Sequence, residues 1–242
     1  MAQGYNQSVE SPTLPVTSFD PFIKALRGAL QRELPGTAAQ QKLAPPQRQT
    51  VPVSSAPARQ SAVLALLHPA DDGIALYFTV RLASLRHHAG QVSFPGGGSE
   101  AGDRTLAETA LRETEEELGV STATVNVLGR MTSLFIAPSH NLVHPFVGWL
   151  SERPALRPDP TEVAKVLDVP LAVLLDPCTR SVYQWKSGEL VLDAPCFLID
   201  HTAIWGATAM ILNELLEIIQ DLPYPTASLW RASCSPAREM HS

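Results

Sequence analysis

Residues Phe94–Val120 read FPGGGSEAGDRTLAETALRETEEELGV, and the acidic end of this stretch decides how the chain is read. Its second half has the spacing of a helix stopped at Gly119. Glu113, Glu115, Glu116 and Glu117 crowd the last turn, where the backbone dipole already presents partial negative charge. Carboxylates three and four positions apart share a face, so the pairs Glu113/Glu116 and Glu113/Glu117 repel. An acidic run is more often a solvated helix face. Three features point instead to a cation site: the position at the helix end, the loop Gly96-Gly97-Gly98 before it, and Arg112 beside it. A hard divalent cation such as Mg2+ or Mn2+ neutralises carboxylates and prefers oxygen ligands. It also polarises a phosphoryl oxygen and helps to generate a nucleophilic water. Glycines let the main chain approach the metal or a phosphate. The residues therefore predict metal-assisted hydrolysis of a diphosphate.

Upstream, SAVLALLH and IALYFTVR are strand-like apolar runs around the turn ADDG, the pattern of a hairpin and the start of the compact domain. Before them, SFDPFIKALRGALQRELPG predicts an amphipathic helix capped by Ser18 or Asp20, with Phe22, Leu26, Leu30 and Leu34 on one face and Pro35-Gly36 as its stop. The Ala-, Gln-, Pro- and Ser-rich stretch that follows reads as an extended connector. Downstream, TVNVLGRMT, NLVHPFVGWL, RSVYQW and PCFLID read as strands, LAVLL as a short helix, and WGATAMILNELLEIIQDL as a helix ending before Pro223. The expected organisation is an N-terminal helix and connector over residues 1–60, a compact domain over 61–222 and a tail over 223–242. Strands mixed with helices imply an α/β fold, and pattern alone leaves strand order open.

A chain of 242 residues, 45% of them hydrophobic, is long enough to bury a proper core. The formal charge of -6 argues against a nucleic-acid coat, which relies on basic surface to displace counterions. Cys178, Cys196 and Cys234 are odd in number and widely spaced, fitting neither a disulfide framework nor a zinc motif. The first residues lack a basic segment followed by an apolar run, and no apolar stretch is long enough to span a bilayer. A cytoplasmic protein with no membrane partner is the expectation, and the sequence leaves a homodimer open.

Gly97 followed by RETEEELGV resembles the signature of Nudix hydrolases, with Arg112, Glu113, Glu116, Glu117, Gly119 and Val120 in their places. The resemblance implies an α/β/α sandwich with a mixed sheet. It implies Glu113, Glu116 and Glu117 as metal ligands, with Arg112 orienting the glutamates. Two positions depart from the pattern. Arg104 stands where counting back from Arg112 places an earlier Glu, and Thr114 occupies an apolar position. If Gly97 is the motif glycine, one extra residue precedes Arg112 and Asp103 takes the acidic place.

The segment TVRLASLRHHAGQVSFPGG, Thr79 to Gly97, further resembles the additional signature of coenzyme A pyrophosphatases. Thr79, Arg81, Arg86, Gly90, Phe94, Pro95, Gly96 and Gly97 match, while Leu82 stands where that signature usually has Ser. This resemblance implies hydrolysis of coenzyme A or a derivative to phosphopantetheine and adenosine 3',5'-bisphosphate. Such a substrate carries a diphosphate and a separate ribose phosphate, so it needs cations beyond the metals, and Arg gives bidentate phosphate contacts. Arg81 and Arg86 are the expected substrate-binding cations, with Gly96 and Gly97 beside them; His87 and His88 read as ordinary loop residues. One of Glu113, Glu116 and Glu117, or Glu162, is the candidate for the group that takes the water's proton, Glu162 equally readable as a helix-capping acid or a partner of Lys165. Trp205 with Gly206, Ala207 and Ala209 reads either as pocket lining or as tight helix packing. The rivals are the same chemistry on another nucleoside diphosphate derivative, such as an ADP-sugar or a dinucleotide, and a catalytically silent nucleotide-binding module.

Overall fold

The computed structural model describes residues 19–46, 57–71, 73–82, 90–187 and 190–223. Strands β1 (Arg59–Ala70) and β2 (Gly73–Arg81) form the expected hairpin, paired antiparallel from Leu67↔Leu76 to Ala70↔Gly73. Beyond Leu67 the two strands diverge, and the gap is filled by the segment that precedes the acidic helix. Its first part, β3 (Val92–Ser93), pairs with β2, and its second, β4 (Gly96–Gly98), pairs with β1. The glycine loop is thereby a strand inserted in a fork rather than a free loop.

Strand β5 (Asn126–Arg130) and β6 (Leu134–Ile136) both pair with β7 (Asn141–Trp149), which runs parallel to β1 over Arg59↔Asn141 to Leu67↔Trp149. Strand β8 (Val163–Pro170) lies antiparallel on β2, on the side away from β1. One parallel pair among antiparallel ones makes the sheet mixed. A second, three-stranded antiparallel sheet contains β9 (Arg180–Ser187), β10 (Leu190–Ile199) and β11 (Thr202–Trp205).

Side chains on β1 alternate between two buried layers, as a strand covered on both faces requires. Ala62, Leu64 and Leu66 pack with Ala110 and Leu118 of α3 (Leu106–Leu118). Ala65 and Leu67 join the larger cluster with α1 (Asp20–Ala29) and α5 (Gly206–Gln220). The result is an α/β/α sandwich with α3 on one face of the sheet and, among the described residues, α1 and α5 on the other. Phe22 and Leu26 of α1 are fully buried, and burial of such side chains contributes roughly 1.5–3 kcal/mol each.

Two N-terminal expectations change. The helix stops at Ala29 rather than running on toward Pro35, while Leu30 and Leu34 still pack on the core from the turn that follows. The connector contains a short helix, α2 (Gly36–Gln41). The reason is the buried Gln40 amide, which donates to the Thr132 carbonyl and to Glu214 Oε2, both at 2.8 Å, and so anchors this segment against α5. LAVLL forms the short helix α4 (Leu171–Leu175), as expected. Among the described residues, no helix is long and apolar enough to cross a membrane.

Candidate active site

Helix α3 begins where its sequence says it should. Thr105 adopts an extended conformation and its hydroxyl accepts from the Glu108 amide at 3.2 Å, one half of a T-x-x-E capping box. Glu108 turns its carboxylate to the Arg104 amide (2.8 Å) and to the Arg104 guanidinium, so Arg104 is occupied away from the glutamate cluster. Thr114, the departure at an apolar position, is fully buried, and its hydroxyl donates to the Ala110 carbonyl at 2.7 Å. That bond to the preceding turn satisfies the hydroxyl inside the core.

Arg112 is the hub of the outer part of the site. Its Nε and Nη2 grip Asp103 at 3.1 Å each, Nη2 also donates to the Gly98 carbonyl at 3.0 Å, and Nη1 lies 3.0 Å from both Glu113 Oε1 and Glu116 Oε2. Asp103 accepts further from Thr109 Oγ1 (2.8 Å) and the Glu100 amide (2.9 Å), and the Arg112 guanidinium holds its carboxyl well below the usual range. The acidic place of the motif is thus a brace that aims Arg112. Gly97 seats Glu113: a Cβ there would collide with the Glu113 carboxylate.

Glu117 sits deeper, with 4% of its side chain exposed. Burial pushes its carboxyl up to about 7, against the opposing pull of the Gly96 amide, which donates to Oε2 at 3.3 Å, and of Arg81, whose Nη1 lies 3.7 Å from Oε1. The other guanidinium nitrogen, Nη2, is 3.8 Å from Glu162 Oε2. Arg81 therefore links the buried glutamate of α3 to a carboxylate 45 residues later whose side chain is 49% exposed. Glu113 is also pushed up, first by burial, with Arg112 opposing and Glu116 and Glu162 adding like charge.

The helix ends at Gly119, left-handed at φ +68°, where a Cβ would press on Arg157. That close approach lets the amides of Arg157 and Asp159 donate to the carbonyls of Leu118 (2.8 Å) and Glu117 (3.1 Å). The loop so anchored leads to Glu162, whose own carbonyl accepts from the Leu82 amide at 3.0 Å.

The structure thus brings together Arg81, Gly96, Gly97, Arg112, Glu113, Glu116, Glu117 and Glu162. Arg86, His87 and His88 lie outside the described residues. Sequence reasoning missed the two-sided pairing of Arg81 and left the role of Asp103 open; only the one-residue offset before Arg112 signalled the latter.

Residues 58–186, just over half of the chain, match the NUDIX domain family. The chain belongs to the Nudix family of pyrophosphohydrolases. A Nudix hydrolase of Photorhabdus laumondii, NudL, is 37% identical over 145 residues, covering 60% of this chain and 77% of its own. Nudix hydrolase 22, chloroplastic, of Arabidopsis thaliana is 34% identical over 73% of this chain and 60% of its own. The human mitochondrial coenzyme A diphosphatase NUDT8 is 34% identical over 60% of this chain and 63% of its own. Among solved structures, the Nudix hydrolase RenU of M. smegmatis aligns over 69% of this chain and 88% of its own, with 16% identity and a TM-score of 0.46.

Nudix hydrolases generally use divalent metal ions, and the donors here suit one. Glu113 and Glu117 offer hard oxygen ligands, and both are carboxyls whose burial disfavours their charge until a cation arrives. The arrangement is not a finished cage. Among the described residues no three Asp, Glu, His or Cys side chains converge to hold an ion as they stand. Glu116 in particular is 58% exposed and turned to Arg112. The crowding expected from the sequence is met by Arg112 for Glu113 and Glu116, and by the Gly96 amide and Arg81 for Glu117.

Proposed function

We propose that this Nudix hydrolase cleaves the diphosphate of coenzyme A or a derivative, giving phosphopantetheine and adenosine 3',5'-bisphosphate, with Mg2+ or Mn2+ held by Glu113, Glu116 and Glu117. The observation that carries the reading is the position of Arg81. It belongs to the segment resembling the coenzyme A pyrophosphatase signature, and its guanidinium lies between Glu117 and Glu162 at 3.7 and 3.8 Å. A diphosphate entering beside these glutamates meets a fixed cation with the fork geometry that phosphate oxygens accept. Similarity to a coenzyme A diphosphatase over the same domain supports the substrate.

A bound divalent ion supplies charge neutralisation on the diphosphate oxygens and a water of lowered pKa. Arg112, braced by Asp103, holds Glu113 and Glu116 in orientation. Gly96 and Gly97 bring the main chain against Glu117 and Glu113, leaving no side chain between strand and helix. Glu117 or Glu162 takes the proton of the attacking water, and Arg81 balances the charge that develops.

A panel of coenzyme A, an acyl derivative, an ADP-sugar and a dinucleotide, each with Mg2+ or Mn2+ and with products identified by mass, tests the proposal. Preferred release of phosphopantetheine with adenosine 3',5'-bisphosphate supports it. Preferential cleavage of the ADP-sugar rejects it.

A further inference from the structure

Three aromatic rings of the smaller sheet remain outside both core clusters. Tyr183 and Trp185 on β9 flank Trp205 at the end of β11, with ring centroids 5.5 and 6.2 Å from it and interplanar angles of 35° and 37°. Together with Gln91, Lys165 and His201 they line a cleft of about 380 Å³ between the two sheets. That volume is within the range of small-molecule sites, as is a wall of aromatic faces with a few polar groups at its rim.

The cleft lies on the other face of the sheet from the glutamates, and adjoining residues of β2, Val80 and Arg81, belong one to each. Its floor includes Val80, which neighbours Arg81 on β2 and projects to the opposite face of the sheet. Arg81 reaches Glu117 on the α3 side, while its amide donates to the Gln91 carbonyl at 3.1 Å. Lys165 pairs directly with Val80 across β2 and β8. The end of β2 is thus the boundary between a cationic, carboxylate-rich side and an aromatic side.

The turn into β11 adds a second feature. Asp200 and His201 both take left-handed conformations, at φ 44° and 65°, although neither is glycine. Non-glycine residues are held there at a conformational cost, and the result sets His201 at the rim of the cleft.

We infer that the cleft of Tyr183, Trp185 and Trp205 is the subsite for the purine nucleotide end of the substrate, the base stacking on the rings and Lys165 meeting a phosphate on the ribose. The inference rests on the proposed coenzyme A reading for that second phosphate. A base offers a π face to indole and phenol rings, and stacking of this kind tolerates tilted platforms. A phosphate beyond the diphosphate needs a cation outside the glutamate cluster, and Lys165 is an exposed point charge on the aromatic side.

The test uses the full chain without metal and reads tryptophan fluorescence as 5'-AMP and adenosine 3',5'-bisphosphate are added, alongside steady-state hydrolysis of coenzyme A with Mn2+. Both nucleotides should quench saturably, the bisphosphate more tightly. Trp185→Leu should weaken both by roughly tenfold or more, Trp185→Phe should retain most of the affinity, and the loss should fall on KM more than on kcat. Lys165→Met, a change at an exposed position with no burden on folding, should remove the preference for the bisphosphate and leave 5'-AMP binding in place. Unchanged nucleotide affinity and KM in Trp185→Leu and Lys165→Met, with hydrolysis of coenzyme A intact, overturn the subsite and leave the proposed function standing. Saturable binding that these variants weaken, in a protein that cleaves no coenzyme A derivative, upholds the subsite and rejects the substrate.

Discussion

Replacing Glu117 by Gln should make the metal-free protein more stable at pH 8 while abolishing hydrolysis. The side chain is 4% exposed, and burial outweighs the Gly96 amide and Arg81, so the folded carboxyl sits at about 7 against an ordinary 4.5. A group whose folded value is raised stabilises the fold fully below its unfolded value, and that contribution is lost as pH climbs through the folded value. The window is therefore pH 4.5 to about 7, and at about 1.4 kcal/mol per pH unit the loss approaches ~3 kcal/mol. Glu113 is shifted in the same direction and adds to it. A Gln amide keeps an oxygen for the Gly96 N–H and carries no charge to desolvate. Urea unfolding with a chelator at pH 5 and pH 8 reads the effect. The variant should exceed its parent by less than about 1 kcal/mol at pH 5, near the foot of the window, and by up to ~3 kcal/mol at pH 8. Adding Mg2+ or Mn2+ at pH 8 should raise the parent's midpoint more than the variant's. An equal gap between variant and parent at both pH values would refute the reasoning.

Asp103→Asn should lower kcat about 10- to 100-fold, the range seen when a partner behind a site residue is removed, because Arg112 loses its two-pronged anchor. Asp103 titrates below its ordinary 3.8, so its contribution is present above that value and withdrawn as pH falls through the lower one; the variant's stability should fall less between pH 5 and pH 2. Gly97→Ala places a methyl against the Glu113 carboxylate, and should reduce kcat about 100-fold in steady-state assays with little change in the urea midpoint. Arg81→Lys substitutes one point charge for a fork that spans Glu117 and Glu162, and should raise KM about tenfold. Gly119→Ala imposes a left-handed alanine and presses on Arg157; it should cost at least 1–2 kcal/mol and expose the loop at 153–162 to limited proteolysis.

The parts of this fold written locally were legible. Thr105 and Glu108 mark the start of α3 and Gly119 its end, and the unbroken apolar runs of β1 and β2 announce the strands that the core buries on both faces. Elements made by pairing were not. Gly96–Gly98 has no side chains to suggest a strand and becomes one because β1 and β2 diverge around it. Helix α2 depends on Gln40 reaching Glu214, 174 positions away. The same division runs through the site. The glutamates and Arg112 lie within a few turns of one helix, so spacing alone groups them. Asp103 requires the loop before the helix to fold back nine residues, and the contact of Arg81 with Glu162 joins β2 to the turn that leads into β8, a pairing that no local pattern states.

The acidic helix end has a charge problem in two parts, and the fold answers them with different groups. The side-chain part falls to Arg112 and Arg81, one at the rim and one on the sheet. The backbone part concerns the exposed carbonyls that give the helix end its partial negative charge. Those of Leu118 and Glu117 are met by the amides of Arg157 and Asp159, which only a left-handed glycine at 119 admits. Because the same loop continues to Glu162 three residues after Asp159, capping the helix also delivers the second carboxylate to Arg81. Assembly of the site is therefore a consequence of terminating α3. A change that loosens this terminus should lower activity even where every glutamate is retained.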